Sequence, residues 1–184
     1  MVVEPTLISI LNSHYTGYAK MPNTYVALRT ETVAVATPSV TFSSIPSDYT
    51  DLVLVINGLG VASDSLGVTM TFNGVTTNRS YTRLQGDGST ASSFRSTNDP
   101  AIGVLGNSEG GNVIAHIMNY SNTTTFKTIL TRYNSLDAGD GRVGSYVSLW
   151  GSTAAITSMV IGLSSGNYAV GSTFSLYGIA KADM

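Results

Sequence analysis

The run Val68-Thr-Met-Thr-Phe72 alternates large apolar residues with threonine, the period-two pattern of a strand with one buried face. Asn73-Gly74 follows at once; this dipeptide tolerates positive φ at both positions and so closes a tight turn. The same signature recurs along the chain. Tyr25–Val35, Val40–Ser43, Leu52–Asn57, Ser80–Leu84, Ala101–Leu105, Asn112–Tyr120, Phe126–Tyr133, Val143–Trp150, Ile156–Leu163 and Thr173–Ile179 each read as a strand between turn residues. No long stretch keeps a helical i, i+3, i+4 stripe. About ten or eleven strands predict an all-β, two-sheet sandwich.

Two of these strands are apolar on both faces. Leu52, Leu54 and Ile56 alternate with Val53 and Val55, and Val113, Ala115 and Ile117 alternate with Ile114, Met118 and Tyr120. A strand of this kind is covered on both sides, whereas a two-layer sandwich leaves one side of each sheet to water. An inserted loop or helix would supply the second cover, and so would a neighbouring subunit. Composition favours the neighbour. Only 11% of the 184 residues are charged, well below the usual quarter, and subunit interfaces resemble a divided core.

The pattern changes near Pro22. Residues 1–22 read as an extended N-terminal arm and residues 23–184 as the β domain. Leu7, Ile8, Ile10, Leu11, Tyr15 and Tyr18 give the arm its apolar groups, and they are its candidate partner contacts. So many large apolar groups favour docking over fraying.

Charge and cysteine content remove whole classes of function. A net charge of −2 offers no excess to neutralise phosphates, which argues against nucleic acid and against an anionic membrane surface. With no cysteine, disulfides, thiol nucleophiles and cysteine zinc sites are excluded. The N-terminus lacks the basic region and apolar core of a secretory signal.

Fragments of chemistry are each better read as structure. Gly106-Asn-Ser-Glu-Gly110 fits G-x-S-x-G, but a nucleophile elbow needs a following helix, and a strand pattern follows instead. His14 and His116 are the only histidines; neither is placed like a general base. Gly86-Asp-Gly88 and Asp137-Ala-Gly-Asp-Gly141 lack the further carboxylates of a calcium loop and suit turns. No catalytic residue, metal or cofactor is expected. A glycan-binding alternative would use Tyr81, Arg83, Tyr146 and Trp150, aromatic and guanidinium groups suited to sugars, although such rings are equally at home in cores.

Four stretches taken in order carry a family likeness: SVTFSSIPSDYTDLVLVI from Ser39, NYSNTTTFKTILTR from Asn119, LWGSTAAIT from Leu149 and STFSLYGI from Ser172. Together they resemble β-rich structural proteins of tailed bacteriophages, over roughly residues 21–181. The resemblance implies a jelly-roll-like sandwich used as a capsid cement (decoration) protein, or as a tail-fibre or tailspike module, with no catalytic residues to carry over. The compact body with a short arm points first to cement. That reading expects a non-enzymatic homo-oligomer, a trimer, on the virion surface and bound to the major capsid protein or another virion protein. The alternative is a receptor-binding tail-fibre head that recognises host glycan.

Overall fold

A computed structural model describes residues 24–58, 60–61, 66–106, 110–137 and 140–181. Within them run β1 (Tyr25–Thr32), β2 (Ser39–Phe42), β3 (Asp51–Gly58), β4 (Gly60–Val61), β5 (Leu66–Phe72), β6 (Arg79–Gly86) and β7 (Ala91–Thr97). They continue as β8 (Ala101–Leu105), β9 (Gly111–Met118), β10 (Lys127–Asp137), β11 (Asp140–Trp150), β12 (Met159–Leu163), β13 (Asn167–Tyr168) and β14 (Thr173–Ile179). The arm residues Leu7, Ile8, Ile10, Leu11, Tyr15 and Tyr18 lie outside the described residues.

The strands form an eight-stranded sheet in the order β1-β14-β3-β9-β10-β11-β6-β7, a four-stranded sheet β2-β12-β5-β8, and a small pair β13-β4. The two main sheets are antiparallel throughout. Setting aside the small pair and the hairpins β6–β7 and β10–β11 leaves β1-β14-β3-β9 against β2-β12-β5-β8. Counted along the chain, these eight strands pair as 1-8-3-6 and 2-7-4-5, the winding of a jelly roll. The all-β, jelly-roll-like sandwich read from the sequence is therefore what the chain forms. The two hairpins enter at separate points of the winding, yet both extend the same side of one sheet.

The core lies between the sheets. Leu52, Leu54, Ile56, Val113, Ala115, Ile117, Phe174 and Leu176 face Phe42, Val68, Met70, Phe72, Met159 and Ile161, all nearly or fully buried. Burying each such side chain contributes about 1.5–3 kcal/mol before ordering entropy. Trp150 stacks near Phe72, with centroids 5.3 Å apart. Tyr168 meets Phe174 edge-on at 4.8 Å and donates its hydroxyl to the Gly162 carbonyl at 3.0 Å.

Asparagine and lysine chemistry fixes the turn between β9 and β10. The Asn122 side-chain oxygen accepts from the Thr124 and Thr125 backbone N–H groups at 2.7 and 2.9 Å. Fully buried Lys127 then points its ammonium at three carbonyls, those of Asn122 (2.6 Å), Thr125 (2.8 Å) and Thr153 (3.2 Å). Burial lowers its pKa, while the carbonyl cage stands in for the water it has lost.

Two expectations need correction, and a third holds. Tyr120 is not on the outer face of β9. The strand ends at Met118, Asn119 takes φ 50°, and Tyr120 turns into the core, where its hydroxyl donates to the Pro46 carbonyl. The Asn73-Gly74 turn forms as expected, with φ 50° and 70°; one bridge at Phe72 and Val75 closes it, and the chain then crosses to the other sheet. Finally, β7 is a seven-residue strand where no strand was expected.

Candidate functional site

Register decides which side chains share the outer face of the large sheet, the face turned away from the core. One row across the strands reads Ala27, Tyr177, Val53, His116, Leu130, Val147, Thr82, Arg95. The next reads Thr30, Ser175, Val55, Ile114, Arg132, Ser145, Leu84, Ser93. A third reads Thr32, Thr173, Asn57, Asn112, Asn134, Val143, Gly86, Ala91. Met118, Thr128, Leu149, Ser80 and Thr97 form part of the fourth.

These rows place an aliphatic patch on the surface. Leu149, Val147, Leu130 and Ile114 run diagonally across β11, β10 and β9, flanked by Leu84 and Val143, and all six are exposed, by 38% to 64%. Two hollows mark the patch. One, of about 250 Å³, is bordered by Thr82, Arg95, Thr128, Val147 and Leu149. The other, of about 510 Å³, lies at Leu84, Ala91, Ser93 and Val143. Eight strands about 4.8 Å apart, each about 25 Å long, make a face on the order of 800 Å². That is the area one partner buries in a standard interface.

Polar groups punctuate the face. His116 Nε2 is 3.1 Å from Asp51 Oδ2, and Asp51 Oδ1 accepts the Asn119 N–H at 2.7 Å. The pair therefore ties β9 to β3 and closes the strand end. Arg132 sits near the centre, paired in register with Ile114 and Ser145. It meets no carboxylate among the described residues.

The sequence-nominated glycan residues fall on the opposite face. Tyr81, Tyr146 and Trp150 are 6%, 2% and 1% exposed, so their rings cannot stack on a sugar. The structure does bring Tyr81, Arg83 and Tyr146 together, under the overhang of β11, β6 and β7. Tyr81 lies 5.0 Å from Tyr146 and 6.2 Å from Phe94, and Tyr146 lies 5.6 Å from Tyr133. Arg83 stands 5.6 Å over the Phe94 ring, and only Phe94 of these rings is widely exposed. Burial pushes the Tyr133 phenol up to about 12. Trp150 is separate from this cluster, packed on Phe72.

The described residues of the remaining fragments lie at strand ends or in turns. Gly106 follows β8 and Gly110 precedes β9, with the Gly106 N–H on the Gly110 carbonyl; the serine between them lies outside the described residues. The Asp87 carboxylate accepts from the Thr90 and Ser89 N–H groups at 2.7 and 2.9 Å. Those bonds, Thr90's first, hold its pKa down to about 2. Among the described residues no cluster of three or more His, Cys, Asp or Glu could hold a metal. No family model, curated protein or solved structure matches the chain.

Proposed function

We propose that this protein is a non-enzymatic virion structural protein of a tailed phage, a capsid cement or decoration protein whose outer sheet face packs against a neighbouring copy. The observation that carries the reading is the exposed aliphatic patch of Leu130, Val147, Leu149 and Ile114, set on a face of standard interface size. The likeness in motif order to phage structural proteins supports the virion setting. Asp51 and His116 are spent on a strand end and Asp87 on a turn, which supports a binding role over catalysis.

Arg132 bears on symmetry. A two-fold contact of this face with itself would bring two Arg132 guanidiniums together near its centre, where like charges repel. In a cyclic trimer the face meets a different surface of the next copy, and the repulsion disappears. Repeated weak contacts over a shell then gain by avidity.

Sedimentation of the full chain and of a form lacking residues 2–20 tests the reading. A trimer that weakens without the arm is the expected result. A stable monomer in both forms overturns it.

A further inference from the structure

Asn57, Asn112 and Asn134 stand in one register row on β3, β9 and β10. They border an open groove of about 460 Å³ at one end of the outer face. Its base includes Gly111, where a Cβ would lie 2.3 Å from the Asn134 carbonyl oxygen; no side chain can stand there. Leu136 and Val170, both exposed, line it as well.

The amides are only partly spent on one another. Asn112 Nδ2 donates to Asn134 Oδ1 at 3.2 Å, and Asn57 Nδ2 reaches Thr173 Oγ1 at 3.5 Å. Asn57 Oδ1, Asn112 Oδ1 and Asn134 Nδ2 have no partner among the described residues. Two acceptors and a donor thus stand in line, one per strand, about 4.8 Å apart. Among the described residues no charged side chain lines the groove.

We propose that this groove binds a neutral glycan. A sugar hydroxyl both donates and accepts, so adjacent hydroxyls satisfy an acceptor–acceptor–donor row that a purely anionic or purely cationic group cannot. Leu136 and Val170 offer apolar contact to the C–H face of a ring. The volume lies in the range of small-molecule sites. With no charge and no aromatic platform among the described lining residues, binding is weak per site, with a Kd on the order of 1 mM, and gains strength by repetition. The inference stands on the groove alone and holds whether or not the chain is a virion protein.

Asparagine side-chain amides give their own NMR signals, so the site can be read directly. Chitotriose and maltotriose serve as neutral probes and trigalacturonate as the acidic control. The expected result is a saturable shift of the Asn112 and Asn134 amide signals with at least one neutral trisaccharide and none with the acid. Binding should fall at least tenfold in Asn112→Ala, an exposed substitution, with the melting temperature unchanged. If neither neutral probe moves these signals, or Asn112→Ala binds as the wild type does, the proposal is wrong. If Asn112→Ala changes the oligomer mass without changing sugar binding, the row serves copies of the chain instead, and the proposal is also wrong. A monomeric chain that still shows the shifts would keep the glycan site while removing the subunit reading.

Discussion

Val147→Asp isolates the subunit contact from the fold. Val147 is 52% exposed at the middle of β11, beside Leu130 and Thr82 in register. In a free subunit the new carboxylate stays in water, and the loss of β-branching costs under about 1 kcal/mol. In an assembly the terms differ. Fully burying a Val or Leu contributes about 1.5–3 kcal/mol, so covering the exposed part of each patch residue gives about 1 kcal/mol, or about 6 for all six. Association itself costs about 4–15 kcal/mol. The patch therefore offsets a large part of that cost, the rest of the face and the arm supply the remainder, and loss of one member is felt. An aspartate removes its share and adds an unpaired buried charge, about 4 kcal/mol together, or about a thousandfold in dissociation constant. Sedimentation over a concentration series should show the wild type associated, Val147→Thr slightly weakened and Val147→Asp monomeric, with equal melting of the monomers. Identical mass distributions for wild type and Val147→Asp would refute the argument.

Other expectations follow from single contacts. Lys127→Met strands three carbonyls that now receive a charged donor; after allowing for the cost of burying the ammonium, the loss is about 3 kcal/mol, and the melting temperature should fall by about 9 °C, measured by calorimetry. The Asp87 carboxyl should titrate near 2 in a carbon-detected NMR experiment. Because its folded pKa lies below the unfolded value, its stabilising contribution is complete above about pH 4 and is lost as pH falls toward 2, so any advantage over Asp87→Asn should vanish in acid. Gly144→Ala would place a Cβ 2.4 Å from Tyr133 Cε1 and 2.7 Å from the Leu84 carbonyl oxygen. It should cost about 1–3 kcal/mol, and a spectrophotometric titration should show the Tyr133 phenol, now at about 12, ionising at lower pH as the packing loosens.

Strand identity was legible where alternation was strong. Val68–Phe72 carries its whole burial pattern in five letters, and the observed β5 alternates buried and half-buried to match. The β7 run Ala-Ser-Ser-Phe-Arg-Ser-Thr carries almost no apolar alternation because it is an edge strand with both sides open; pairing to β6 holds it, and pairing leaves no periodic trace. The candidate site was half legible. That β3 and β9 carry apolar groups on both faces could be read from Val53, Val55 and Ile114; within the chain Val53 is covered and Ile114 is exposed. Which of Tyr81, Tyr146 and Trp150 face the core depends on which side of the sheet the other sheet occupies, and period two alone cannot give the sign. The asparagine row was invisible for a related reason. Asn57, Asn112 and Asn134 are far apart in sequence and meet only through register across two strand pairs.

The inserted hairpins create two unequal problems, and the chain has answered only one of them within its described residues. Four strands of the small sheet span about 14 Å, against about 34 Å for the eight of the large one, so half of the large sheet overhangs on its inner side. There Tyr133, Tyr146, Tyr81 and Phe94 lean on one another in series, each ring shielding the next, and the phenols of Tyr81, Tyr133 and Tyr146 are raised mainly by that burial. Aromatic rings suit the task because each covers a large area at the cost of few rotors. The outer side has no such series. Its strands carry Leu130, Val147, Leu149, Ile114, Leu84 and Val143, aliphatic groups that cover little beyond themselves. A chain selected only to fold could have ended these positions in threonine and serine, as β14 does at Thr173 and Ser175. On the reading proposed above, the aliphatics that β9, β10 and β11 keep in adjacent register, around Arg132, are where a neighbouring copy would pack.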